Sequence, residues 1–187
     1  MKNFCEFLLF VCIFFVCATT AQEKSYSDVK TEIEKHGKAS QISVSYERDL
    51  TTITAEFALL ANNPQLRKTF DEFGAQFSAV YVGPTISGKP FQLNFCLKTR
   101  SKTFVFQNNR TFTISVDGKS YGFPEPDRST TLKKKMASEV LCWGIEEKTL
   151  ELFYSSTDVE CFVGLQQFSL SDEQTETLGF YKTLLTF

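Results

Sequence analysis

Apolar and polar residues alternate along most of this chain, and that period of two constrains its fold more than any other feature. The clearest run sets Phe73, Ala75, Phe77, Ala79 and Tyr81 against Gly74, Gln76, Ser78 and Val80. Successive side chains of an extended strand point to opposite faces, so such a run buries one face and wets the other. Ile42, Val44 and Tyr46 repeat the pattern, as do Ile53, Ala55, Phe57 and Leu59. Phe91, Leu93, Phe95 and Leu97 repeat it again, which puts Cys96 on the face opposite the aromatics. Phe104 and Phe106 follow at alternate positions, and then Phe112, Ile114 and Val116. Asp117-Gly118 predicts a tight primed turn back into Tyr121 and Phe123, because glycine tolerates the positive φ such a turn requires. Asn62-Asn63-Pro64, Gly83-Pro84, Ser87-Gly88 and Pro124-Glu125-Pro126-Asp127 read as turns and loops. Val140 to Trp143 and Val159 to Leu165 read as further extended segments.

Helical spacing is confined to three places. Tyr26, Val29 and Ile33 carry it in the polar segment from Tyr26 to Lys38, which fits a short amphipathic helix or a flexible lead-in. Leu150, Phe153 and Tyr154 carry it between Glu146 and Ser156. Ser171 with Gln174 forms a capping box, and Leu178, Tyr181 and Leu185 then face inward along a terminal helix. The expected fold is mainly β, an antiparallel sandwich or partial barrel with two short C-terminal helices, or α+β by strict count. The 15 phenylalanines beyond residue 21, out of 20 in all, read as core rather than as a sugar-binding face. A sugar-binding face favours Trp and Tyr, and Trp143 is the only tryptophan.

The first 21 residues have a different texture. Lys2 precedes an apolar run, Phe7 to Val16, broken only by Cys12, and Ala18 to Ala21 leads into polar Gln22-Glu23-Lys24. That order is built like a secretory signal peptide cleaved after Ala21. An uncleaved anchor would need about 20 apolar residues to span the hydrocarbon. A lipid-modified Cys17 would want small residues where Phe14, Phe15 and Val16 stand. The expected organisation is therefore a signal over 1–21, a polar lead-in over 22–40 and one β-rich domain over 41–187. The expected location is secreted or periplasmic. Signal removal takes Cys5, Cys12 and Cys17 with it and leaves Cys96, Cys142 and Cys161. Three thiols allow one bridge, with Cys142–Cys161 the candidate because those two are closest in sequence. The alternative is that all three are buried as small hydrophobes.

Three segments read together resemble a class of small uncharacterised bacterial secreted proteins. They are Ser115-Val116-Asp117-Gly118-Lys119, the helix before Val159-Glu160-Cys161-Phe162-Val163-Gly164, and Phe168-Ser169-Leu170-Ser171 opening the last helix. The resemblance runs from about Ser45 onward. It implies the fold and carries no activity.

Motifs for chemistry are sparse. His36 is the only histidine, so a Ser-His-Asp triad would rest on it, and no Gly-x-Ser-x-Gly elbow supplies the nucleophile. Zinc spacings, acidic calcium loops and glycine-rich phosphate loops do not occur, and no metal or cofactor is expected. Asp71-Glu72, Glu125/Asp127 and Glu146-Glu147 are the carboxylate pairs a hydrolase could use, although strand neighbours point apart. Net charge is −2, and Lys133-Lys134-Lys135 is the only basic run, read as a solvated loop or strand edge. No nucleic-acid partner and no stable membrane insertion after signal cleavage are expected. Asn109-Arg110-Thr111 fits a glycosylation acceptor if the source is eukaryotic. The expected function is non-enzymatic binding or scaffolding of an unknown protein or small molecule. Carriage of a hydrophobic ligand in a Phe-lined cavity and carboxylate-based hydrolysis are the alternatives.

Overall fold

The period-two runs fold as strands, and their pairing sets the shape of the molecule. The computed structural model describes residues 23–155 and 158–185; the stretch read as a signal, with Cys5, Cys12 and Cys17, lies outside the described residues. In chain order the elements are β1 (Lys24–Ser25), α1 (Tyr26–Lys35), β2 (Ile42–Glu47), β3 (Leu50–Ala58), β4 (Phe70–Val82), β5 (Thr85–Ile86) and β6 (Gln92–Ser101). They continue as β7 (Phe112–Val116), β8 (Lys119–Gly122), β9 (Asp127–Lys133), β10 (Met136–Gly144), α2 (Glu147–Leu152), β11 (Val159–Val163), β12 (Gln166–Phe168) and α3 (Asp172–Leu184). A turn of 3-10 helix, Pro64–Lys68, joins β3 to β4.

Among the described residues the strands form three antiparallel sheets. The largest runs β2-β3-β4-β6-β10-β9, a second runs β12-β11-β7-β8, and β1 pairs with β5. The mainly-β expectation holds. Strands β3, β4, β6 and β10 of the large sheet turn their apolar sets inward, with Phe57, Phe77, Phe95, Leu97, Leu141 and Trp143 buried. The four-stranded sheet covers the β4–β6–β10 part of that face. Phe95 meets Phe112 at 5.0 Å between ring centroids, Phe112 meets Trp143 at 4.8 Å, and Phe73 meets Phe168 at 5.4 Å. Phe153, at the end of α2, wedges an edge-on ring against Phe77 at 4.9 Å. Helix α3 covers the β3 side, where the Tyr181 hydroxyl donates to the Ile53 carbonyl at 3.2 Å. The second layer is therefore part sheet and part helix.

Local chemistry explains the element ends. Asp117 and Gly118 take φ of 49° and 76° and close the β7–β8 hairpin as the dipeptide predicts. The Ser171–Gln174 capping box is formed, and Leu178, Tyr181 and Leu185 are buried below it. Helix α1 has a capping box of its own, Ser25 with Asp28, and places Val29 and Ile33 in the common core. The segment set apart as a lead-in thus packs with the domain. Gly164, at φ 57° between β11 and β12, would bring a Cβ to 2.8 Å from the Asn109 carbonyl oxygen, so a side chain there is both strained and obstructed.

Two segments differ from the expectation. Asp127–Lys133 continues as edge strand β9 where the reading ends in a loop at Asp127. Its residues are almost all exposed, so no period-two signal marks it. Phe104 and Phe106, by contrast, lie in irregular chain between β6 and β7. Their anchor is a carboxylate, Glu139 on β10. Its oxygens accept from the backbone N–H groups of Val105 (2.5 Å) and Phe106 (3.2 Å) and from Arg128 Nη2 (2.7 Å). Phe106 is carried into the core by this clamp, 5.8 Å from Phe70.

Candidate functional site

Strand β11 is paired unequally on its two sides, and a cleft opens where the pairing stops. Along β7 it is matched throughout, from Val159 opposite Val116 to Val163 opposite Phe112. Along β12 only Cys161, Phe162 and Val163 have partners. Asp117 N–H donates to the Asp158 carbonyl and Gly164 N–H to the Thr111 carbonyl. Main-chain direction alternates along a strand, so Asp158, Glu160 and Phe162 turn their groups to β7 while Val159, Cys161 and Val163 turn theirs the other way. Strand β12 meets Cys161 and Val163. It has already left when the chain reaches Val159, whose N–H and C=O therefore face the cleft rather than a ladder.

An amide side chain causes the departure. Asn63, buried in the turn after β3, donates from Nδ2 to the Ser169 carbonyl at 3.0 Å and accepts the Ser169 N–H on Oδ1 at 2.9 Å. It occupies Ser169 as a neighbouring strand would. Asn62 Nδ2 also donates to the Ser169 carbonyl at 2.8 Å. Two residues on, Gln174 accepts the Ser171 N–H at 2.9 Å and donates to the Ala58 carbonyl at 3.1 Å. These amides fix the path from β12 into α3, so the cleft walls are built before any ligand arrives.

The cleft has a volume of about 720 Å³, within the range of ligand sites. Val159, Phe168 and Leu170 supply its apolar lining, Asp158, Glu160, Asp172 and Glu176 bring four carboxylates to it, and no Lys or Arg is among the described residues that line it. Gln167 Nε2 donates to Glu160 at 2.7 Å, which orients that acid, and Lys38 reaches Glu176 at 3.7 Å from outside the lining. Such a surface favours a cation with some apolar body.

The residues singled out in the sequence lie elsewhere. Cys142 is bonded to Cys96, not to Cys161, which corrects the expected pairing. Cys96 and Cys142 stand directly opposite each other on β6 and β10, on the outer face of the large sheet. Cys161 faces the core from the other sheet, is fully buried as a free thiol, and would have to cross the aromatic layer to reach Cys142. Burial, and secondarily the Glu160 charge, pushes its thiol far above the usual range. Asn109 is exposed, and its Oδ1 accepts from the Thr111 N–H and hydroxyl. His36 caps the C-terminus of α1 with its ring 4.5 Å from Phe180.

Each carboxylate pair has at least one member tied to a base. Glu72 pairs with Arg100 at 2.8 Å and Glu125 with Arg110 at 2.7 Å. Glu146 pairs with Lys148 at 2.8 Å, and Glu147 pairs with Lys182. Glu146 and Glu147 do line a smaller cleft of about 410 Å³, but Lys89, Pro90, Phe91 and Leu93 form its other side. The hydrogen bond from Lys148 and then its charge lower the Glu146 pKa, the opposite of what a general acid needs. Among the described residues no group of three or more His, Cys, Asp or Glu side chains is placed to hold a metal ion. Nor is any described helix long and apolar enough to cross a membrane.

Sequence reasoning missed both Glu139 and the Asn63 latch. Glu139 had a signal, since it shares a strand face with Ala137, Leu141 and Trp143, where a carboxylate must have partners. Asn63 had none beyond its place in a turn. No family model matches the chain, and no curated protein or solved structure matches it, so the resemblance to bacterial secreted proteins rests on the three segments that suggested it.

Proposed function

We propose that the protein is a secreted, non-enzymatic binding domain that takes an extended, cation-bearing segment of another chain into the wedge between β11 and β12. The observation that carries this reading is the unladdered main chain of Val159 inside an acidic cleft whose walls are held by Asn63. An added strand would gain two backbone hydrogen bonds at Val159, and its Lys or Arg side chains would meet the carboxylates of β11 and α3. Secretion is supported by the composition of residues 1–21 and is compatible with the Cys96–Cys142 bond, which belongs in an oxidising compartment. Carriage of a hydrophobic ligand has less support, because the interior Phe rings contact one another. Hydrolysis by the pairs read from the sequence has less too, given the basic partners of Glu72, Glu125, Glu146 and Glu147.

The test is fluorescence anisotropy with two labelled peptides, one alternating Lys with Val and one alternating Glu with Val. The Lys peptide is expected to bind, more weakly as salt rises, and to lose several-fold affinity in each of Glu160→Lys and Asp172→Lys. Equal binding of both peptides, or an unchanged affinity in both variants, would refute the assignment.

A further inference from the structure

We propose that the rim of the large sheet at the β9–β10 hairpin is a docking surface for an anionic lipid bilayer. Phe70 at the start of β4 lies opposite Ser101 at the end of β6, and Ser101 lies opposite Ala137 on β10. Met136 in turn lies opposite Lys133, the last residue of β9. Four neighbouring strands thus finish at one rim, spanning about 14 Å at the usual strand spacing of about 4.8 Å. Cations gather there from separate parts of the chain. Arg67, Lys68 and Lys102 line one cleft, and Arg100, Lys133 and Lys134 line the next. Lys135 completes the turn. All seven are exposed, against the carboxylates of Asp71 and Glu72, and Glu72 is already tied to Arg100. The whole chain carries −2, so this excess is a segregation of charge and not a matter of composition. The lysine run that reads in sequence as an isolated solvated stretch is joined by four more cations once the strands pair.

Apolar content at the same rim selects the kind of anion. Leu132 is 66 % exposed beside the lysines, and half-buried Met136 flanks the turn on its other side. Lys134 and Lys135, at φ of 50° and 65°, close a two-residue primed turn that presents this tip firmly. An exposed leucine next to a run of three lysines suits the bilayer interface, its side chain at the acyl boundary and the ammonium groups at the phosphates. Single-stranded nucleic acid would call for aromatic platforms, whereas Phe70 and Phe106 at this rim point into the core. The contact is peripheral and requires no spanning segment.

Protein recovered from the medium of a secreting host, with one N-terminus in every arm, is sedimented with vesicles of phosphatidylcholine alone or mixed with phosphatidylglycerol. Binding to the mixed vesicles only, weakening as salt rises, is expected. Each lysine near an anionic surface contributes about 1 kcal/mol, so the triple variant K133Q/K134Q/K135Q should bind about a hundredfold more weakly. Leu132→Ser should cost about tenfold. Lys68→Gln with Lys102→Gln, away from the hairpin, provides an independent arm, and a loss of binding there is also expected. Equal partition into both vesicle types, or full binding by both lysine variants, would overturn the proposal. So would dextran sulfate binding as tightly as the vesicles with no dependence on Leu132, which would assign the rim to a soluble polyanion.

Discussion

Replacing Glu139 by Gln removes one charge from the interior, and the structure fixes what should follow. The carboxylate is fully buried and accepts from four donors: two backbone amides, at Val105 and Phe106, and both Nε and Nη2 of Arg128. A glutamine retains one oxygen. Turned toward Arg128, it aims its NH₂ group at the two amides; turned the other way, it faces the guanidinium. At least one buried donor is left opposite another donor, at about 1–3 kcal/mol, and a charge-assisted bond is lost besides. Removing one partner of a buried ion pair typically costs about 3–5 kcal/mol. A loss of about 3 kcal/mol follows, equivalent to a fall in Tm of about 6–12 °C for a domain of this size. Thermal unfolding followed by circular dichroism measures it, and amide exchange locates it, with Val105 and Phe106 exchanging faster than the ladder amides of β6 and β10. A Tm within about 2 °C of the parent, with those two amides unchanged, would refute the view that Glu139 clamps the chain between β6 and β7.

Three further outcomes are expected. Cys96 and Cys142 are separated by 46 residues, so their bond should contribute up to about 4 kcal/mol through loop closure. Urea unfolding with and without reductant should show a midpoint lower by about 1–2 M when reduced; a shift near zero would contradict the pairing. Iodoacetamide should label no cysteine in the folded protein beginning after Ala21 and only Cys161 once it is unfolded without reductant, because burial keeps that thiol protonated. Peptide mass mapping that finds Cys96 or Cys142 alkylated would count against this. Hydrogen bonds from the Ser25 hydroxyl and N–H hold the Asp28 carboxyl below its usual range. The folded pKa is the lower one, so this capping contribution is complete above the usual aspartate value of about 4 and is lost as pH falls through the folded value. NMR of α1 across that range should show its first-turn amides losing protection relative to their intrinsic exchange rates at acid pH, while those of β4 stay protected.

The large sheet and the Asp117-Gly118 hairpin were legible because one buried face writes a period of two into the sequence. Strand β9 was not, since an edge with most of its side chains in water carries no such period. Phe106 shows the converse, an alternating aromatic that is buried without a strand because Glu139 takes over the hydrogen bonds of its loop. The disulfide turned on register. Periodicity placed Cys96 away from the aromatics, but only the pairing of β6 with β10 puts it opposite Cys142. For the same reason the basic rim, assembled from three sequence segments, was visible only as three lysines. The cleft depends on a side-chain amide standing in for a strand, and no local pattern marks an asparagine for that role.

Amide chemical shifts and exchange rates of the folded protein, titrated with the alternating Lys–Val peptide, test the binding wedge most directly. The Val159 N–H should shift and gain protection on binding, with neighbouring changes at Glu160, Ser169 and Asp172, while Cys161 and Val163, already bonded to β12, change little. Binding that leaves Val159 unprotected, or that perturbs the outer face of the large sheet instead, would contradict the account.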